Sequence, residues 1–394
     1  MTINYLAGLA FVFGLNLPKS FSLLYIALLF FYFQRLRANA YKWGTLPAPV
    51  LITSSLLLIF GSLYSTMQAV NAVWIPVPSY LPEILAISVL PCACLLAGYL
   101  SPINLSDISR LILFFSLGSL TYALLSILIS HHPWYNFLEV FPHVLRVPWG
   151  EKEFLSTRAV EQRAFLLMCL APVFLKNCTK KLSRSFIYLV IFLLLEVAGF
   201  YVVYSTNTRL IFPALILSLI PLVCLFKSTI TKYMIIFSLA FLILISVVTG
   251  RICDERLWLQ FEFIRHASQS LTGGRQIIFR YRDCVPNGFN NFGSFEGSSA
   301  FSPHNVFLDV YNDAGIVPFI AFLLAFIIII SRYIQKMQTE YSVRGSSLSQ
   351  LYTLWGFTAV YFTQLVLQPF MYTDQLFFTL GIFVLGWSLQ ESKI

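Results

Sequence analysis

The chain has 394 residues, of which 58% are apolar and 11% charged, with a mean hydropathy of +0.77. Soluble domains carry roughly 25% charged residues, so this composition excludes an ordinary soluble protein and sends most of the surface into lipid or against other helices. The net charge of +9 would suit nucleic acid or anionic lipid, but the Lys and Arg positions follow membrane topology, and no nucleic-acid partner is expected.

The start, Met1-Thr2-Ile3-Asn4, lacks the positive region of a cleaved signal peptide, so the first apolar segment is expected to be retained. A span needs about 20 apolar residues. Segments of that kind lie near 3–17, 20–36, 48–68, 81–100, 110–130 and 160–176, then near 185–204, 209–226, 231–249, 316–332, 350–369 and 374–390. The first is short. The expected fold is therefore an all-α membrane protein, one polytopic helical bundle over 1–394 with about twelve transmembrane helices, or one fewer.

Orientation follows from Lys and Arg in the short loops. With the N-terminus in the cytoplasm, the inside loops hold Arg35, Arg37 and Lys42; Arg110; Lys176, Lys180, Lys181 and Arg184; Lys227 and Lys232; and Arg332, Lys336 and Arg344. The short outside loops hold only Lys19 and Arg209. Both termini are expected inside. Two long outside loops remain, near 131–159 and 250–315. Arg146, Lys152 and Arg158 lie in the first, and Arg251, Arg256, Arg265, Arg275, Arg280 and Arg282 in the second. Such basic loops suit an anionic ligand or, more simply, lipid phosphates.

In the larger loop, Leu257, Phe261 and Ile264 recur at helical spacing beside Trp258, with Asp254 as a candidate cap. That predicts an amphipathic helix, either an interfacial lid or a packed loop helix. Gly273-Gly274-Arg275 then opens a predicted helical segment in which Arg282 falls two turns beyond Arg275 on the same face. Backbone N–H groups at such a helix start hold phosphate, and Arg offers a planar fork for its oxygens. Cys253 and Cys284 bracket this stretch, either as a disulfide closing a loop of about 30 residues or as free thiols. Residues 286–301, rich in Gly, Asn, Ser and Phe, are expected to be irregular. Next, Pro303-His304-Asn305 precedes a predicted helix from near Asn305 to Gly315, and Pro318 suits the first turn of the following span. His304 would sit at the positive end of that helix, which disfavours imidazolium and favours the neutral ring that a general base needs.

These residues resemble the O-antigen ligase and O-antigen polymerase superfamily of Gram-negative bacteria. The resemblance rests on Ser205-Thr206-Asn207-Thr208-Arg209-Leu210, on Gly273-Gly274-Arg275, and on Pro303-His304-Asn305 followed by Phe307-Leu308 and Ala314-Gly315-Ile316. It covers roughly 205–330; the N-terminal half is similar only in hydropathy. The stretch 286–293 is a loose version of the Pro-x-x-Gly-x-Gly run that many members show.

The resemblance implies a metal-independent, cofactor-free inverting glycosyltransferase of the inner membrane with a periplasmic active site. Its donor would be a glycan on undecaprenyl pyrophosphate. Its acceptor would be lipid A-core for a ligase, the nearer match, or another lipid-linked repeat for a polymerase. Arg209 and Arg275 would neutralise the departing pyrophosphate, with Arg158 and Arg282 as further binding candidates. His304 would take the acceptor proton, and Asn305 would orient the His or an acceptor sugar. Asp309 and Asp313 share a helix face with His304 nearby, but their spacing is no recognised metal motif. Glu196, mid-span, suits a structural pair better than a site. From another class, a lipid-linked sugar transporter would place charges along a path inside its spans, whereas most of the Arg here lie in outside loops.

Overall fold

The computed structural model describes residues 3–17, 19–37, 46–71, 88–130, 144–146, 148–149, 154–156, 182–206, 213–218, 236, 240, 255–272, 279–282, 297–300, 305–342, 348–368, 371 and 374–390. Helix dominates. In chain order the helices are α1 (Ile3–Gly14), α2 (Ser20–Arg37), α3 (Ala48–Asn71), α4 (Leu90–Leu100), α5 (Leu105–Ser130), α6 (Leu182–Thr206), α7 (Glu255–His266), α8 (Val306–Ala314), α9 (Ile316–Ser342), α10 (Leu348–Leu367) and α11 (Gln375–Ser388). Two small antiparallel pairs accompany them, β1 (Val144–Arg146) with β2 (Phe154–Ser156) and β3 (Phe279–Arg282) with β4 (Gly297–Ala300).

Among the described residues, three helical stretches are long and apolar enough to cross a membrane: Ala48–Met67, Leu105–Ser130 and Ile316–Tyr341. Shorter apolar helices lie at Ser22–Leu36, Leu90–Leu100, Leu193–Ser205 and Gln375–Ser388. The outer faces carry the large apolar side chains that lipid would cover, among them Leu29, Phe33, Leu194 and Val197. Helix α1, with 12 residues, reaches only about 18 Å at the α-helical rise, less than the roughly 30 Å of a bilayer core. The predicted segments near 160–176, 209–226 and 231–249 lie outside the described residues, apart from a helical piece at 213–218 and residues 236 and 240.

Helix ends differ from the hydropathy reading where local hydrogen bonds override it. Helix α5 starts at Leu105 rather than near 110. The Asn104 side chain accepts from Asp107 N at 3.0 Å, and the Asp107 carboxylate accepts from Asn104 N at 3.2 Å, a reciprocal cap. Helix α9 runs ten residues past the predicted end near 332 and carries Lys336, assigned from sequence to a loop, into a buried position. There its Nζ lies 3.9 Å from Glu340, donates to the Gln390 carbonyl at 3.1 Å and sits 5.4 Å above the Trp387 ring.

The large loop corrects two expectations. Residues 279–282 are a strand, not a helix, so Arg282 does not stand two helical turns beyond Arg275; it pairs in register with Gly297. The alternation of Phe279 and Tyr281 with Arg280 and Arg282 is a period of two, and aromatic residues favour the pleated ladder. Its partner, Gly297–Ala300, was expected to be irregular; its small residues form the second strand instead.

Helices meet through glycine. Gly14 of α1 and Gly118 of α5 lie against each other's helix backbones, and Gly98 of α4 and Gly386 of α11 do the same; a Cβ at any of the four would fall on a backbone carbonyl. Between such contacts the core is aromatic. Phe60 of α3 meets Phe322 of α9 at 4.5 Å, and Phe115 of α5 stacks on Phe377 of α11 at 5.8 Å.

A Gly98→Ile protein is expected to lose about 1–3 kcal/mol or more through overpacking, read as a lower melting temperature in detergent. Gly8→Ala is the reference and should hold or raise that temperature, since nothing lies within 4 Å of the added methyl. Lys336→Met removes the cation facing buried Glu340 and should cost about 3–5 kcal/mol, whereas Lys336→Met with Glu340→Leu should recover most of it, because a buried pair is replaced rather than broken.

Candidate functional site

The short helix α8 joins the loop to the span α9. Asn305 caps it: its Oδ1 accepts from Phe307 N at 3.0 Å and Leu308 N at 3.3 Å. That leaves the Asn305 amide to donate to Gln260 Oε1 of α7 at 3.4 Å, and Gln260 in turn donates to the Val366 carbonyl of α10 at 2.7 Å. The cap therefore links three helices. An asparagine suits this place because one side chain both accepts from orphan helix N–H groups and donates elsewhere.

Most of α8 is buried, with Val306, Val310 and Ala314 in the apolar core and three polar side chains beside them. Asp309, Asn312 and Asp313 are all buried. Asp313 Oδ2 accepts from Tyr64 Oη of α3 at 2.8 Å. The Tyr311 hydroxyl donates to the Ala267 carbonyl at 2.8 Å, and its ring meets Phe263 of α7 and Phe319 of α9 edge-on at 5.8 and 5.5 Å. Burial raises the Tyr311 phenol above its ordinary value, which keeps it protonated as that donor.

At its C-terminal end α8 stops at Gly315, with φ of +90°, a conformation L side chains rarely adopt. The chain of residues 271–272 passes against it. Ile316 N donates to the Leu271 carbonyl at 3.1 Å, and a Cβ on Gly315 would meet that carbonyl at 2.6 Å. The residues leading into Gly273-Gly274-Arg275 thus touch one end of α8, and Pro303-His304 enters at the other.

Helix α7 matches the predicted amphipathic segment. Gln260 and Phe263 are buried, whereas Phe261 and Ile264, at 62% and 60% exposure, point away from the bundle, followed by Leu271 at 54%. Between α5 and α6, Trp149 packs against α1 and α5. Trp149 Nε1 donates to the Leu15 and Asn16 carbonyls, both at 3.2 Å, and its ring lies 5.9 Å from Tyr122.

Of the residues singled out from sequence, Asn305 is placed in full and its side chain serves as the cap. Arg282 is placed by its backbone in β3. Arg158, Arg209, Cys253, Asp254, Arg275, Cys284 and His304 lie outside the described residues. Among the described residues no group of three or more His, Cys, Asp and Glu forms a metal cage; Asp313 is engaged by Tyr64 instead. Gln260 and Tyr64 were not foreseen. Gln260 carried a weak signal, a polar residue on the inward stripe of an amphipathic helix; Tyr64 pairs across 249 positions and carried none. No family model matches this sequence, and no curated protein matches it.

Replacing Asn305 by Ala should cost about 1 kcal/mol of cap energy. Asn305→Asp keeps the accepting oxygen but not the donor to Gln260. Hydrogen exchange of the Phe307 and Leu308 amides checks this: protection should fall sharply in the Ala protein and stay close to wild type in the Asp protein.

Proposed function

We propose that this chain is an inner-membrane glycosyltransferase, an O-antigen ligase that moves a glycan from undecaprenyl pyrophosphate to lipid A-core at the periplasmic face. On this reading both termini are cytoplasmic, the bundle has about twelve spans, and 250–315 is the periplasmic loop that carries the catalytic groups.

One observation carries the reading. The Pro-His-Asn motif ends in a cap that is hydrogen-bonded to α7 and through it to α10, so the residue after His304 is held by three helices. A general base needs such a fixed neighbour, because misplacement by an ångström costs large factors in rate. The exposed apolar face of α7 adds support: a lipid-linked donor arrives through the membrane interface, and Phe261 and Ile264 suit that boundary.

The chemistry follows from the groups assigned. His304, beside the positive end of α8, stays neutral and takes the proton of the acceptor hydroxyl. The hydroxyl oxygen attacks the anomeric carbon from the face opposite the phosphate, and the bond from that carbon to the pyrophosphate oxygen breaks. Arg209 and Arg275, with Arg158 and Arg282 as further contacts, neutralise the charge that develops on the leaving group. Inversion at the anomeric carbon is the outcome.

A lipopolysaccharide gel of a deletion strain tests this, with complementation by wild type, Arg209→Ala, Arg275→Ala and His304→Ala. The expected result is bare core without O-antigen rungs, glycan accumulating on undecaprenyl pyrophosphate, and failure of all three variants to restore the ladder while remaining in the membrane. A surviving single rung of core plus one repeat would identify a polymerase. An unchanged ladder in a strain without a second copy would overturn both and favour a lipid-linked sugar transporter.

A further inference from the structure

Away from α8, a cavity of about 510 Å³ opens between α1, α2, α4, α5 and α11. Most of its wall is aliphatic or aromatic, including Leu6, Leu9 and Phe13 of α1, Leu24 and Leu28 of α2, and Phe383 of α11. Most of its polar lining, Gln34, Arg35, Ser101 and Asp107, gathers where α2 ends and α5 begins, with Thr379 on α11 besides. From Leu24 to Arg35 along α2 is about 16 Å at the helical rise, the scale of an acyl chain rather than a compact solute. The volume falls within the roughly 300–1,000 Å³ of small-molecule sites.

The charges at this end are arranged as an open pair. The Arg35 guanidinium lies 5.6 Å from the centroid of the Phe31 ring, itself part of the wall, and makes no ion pair with any described residue. The Asp107 carboxylate accepts the cap hydrogen bond from Asn104 N through Oδ2 and is likewise without an ion pair among the described residues. Opposite charges thus line one end of the cavity without an ion pair between them. A headgroup carrying both a phosphate and an ammonium complements them, with the phosphate at Arg35 and the ammonium at Asp107, while one acyl chain fills the apolar part. A purely anionic headgroup would meet Asp107 unfavourably.

We propose that the cavity between α1, α2, α4, α5 and α11 is a binding site for one phosphatidylethanolamine molecule, its headgroup held between Arg35 and Asp107. On the orientation proposed above, that end faces the cytoplasmic leaflet, on the opposite side of the membrane from the catalytic loop. The site is therefore separate from the donor and acceptor path, and it stands or falls independently of the glycosyltransferase reading.

Native mass spectrometry of the detergent-purified full chain tests the proposal. The protein is delipidated, each variant is checked for a wild-type melting temperature before lipid is added, and it is then titrated with phosphatidylethanolamine, phosphatidylglycerol or phosphatidylcholine. One phosphatidylethanolamine per chain is expected, retained about tenfold better than phosphatidylglycerol, a difference of about 1.4 kcal/mol. Arg35→Gln should remove most of the retention. Asp107→Asn keeps an oxygen for the Asn104 cap and should erase the preference over phosphatidylglycerol. Ala27→Trp, which fills the wall without touching a charge, should abolish retention of every lipid. Equal retention of all three lipids by wild type, a preference for phosphatidylglycerol, or unchanged retention in Ala27→Trp would each overturn it.

Discussion

Helix backbones in this bundle approach more closely than any side chain would permit, and the rest of the architecture follows from that constraint. In a hydrocarbon surrounding, lipid tails are as apolar as leucine, so burial of apolar surface does little to drive helix against helix. Dispersion contacts and exact fit must supply the difference. Gly14 against Gly118 and Gly98 against Gly386 provide it at two crossings. The serines of α5 act in the same direction. Ser116, Ser119 and Ser126 each donate to the carbonyl four residues back, at 2.7 to 2.9 Å. Each is thereby small, satisfied internally and able to lie against a neighbouring helix without an unmet polar group.

Once helices are this close, their polar ends must be satisfied by one another. At one end of the bundle, Gln390 Nε2 lies 2.7 to 3.0 Å from the carbonyls of Gly98, Tyr99 and Ser101, which share its two N–H donors. Those carbonyls belong to the last turn of α4 and its cap, which lack partners within the helix. Trp387 closes the same junction through its bond to the Ile103 carbonyl at 3.0 Å. At the other end, Asn305, Gln260 and the Val366 carbonyl do the equivalent for α8, α7 and α10. An amide serves the second place because it both donates and accepts, and the first because its NH2 offers two donors.

What was legible in the sequence divides along the same physical line. Local chemistry showed itself. The Asn305 start, the Gly315 stop and Pro318 in the next first turn were readable because caps act within four residues. The amphipathic α7 was readable from its spacing of large apolar residues. Interactions set by distant partners were not. Tyr64 and Asp313 meet across 249 positions, and Lys336 reads as a loop cation until Trp387 and Gln390 are placed beside it. The strand β3 was misread because a glycine pair ahead of it suggested a helix start, while the shorter period of two in Phe279–Arg282, paired with Gly297–Ala300, prevailed. Most of the candidate site, His304 and Arg275 included, lies outside the described residues, so its sequence reading stands on motif and chemistry alone.

The helix α8 has an unusual relation to the two motifs it separates. Its nine residues span about 13.5 Å. Pro303-His304 leads into its N-terminus, and the backbone of 271–272, just before Gly273-Gly274-Arg275, packs at its C-terminus. A rigid bar of this kind fixes where both chain segments begin without fixing where Arg275 ends, three residues farther on. Its dipole acts on its ends unequally. The negative end faces residues 271–272; on the proposed reading the positive end would favour a neutral histidine just ahead of Asn305. On the proposed reading both ends would then suit the chemistry, a base that starts unprotonated and a cation that stays charged. Burial of Asp309, Asn312 and Asp313 on the inner face keeps the bar in register with α3, so neither end can shift without breaking a buried hydrogen bond.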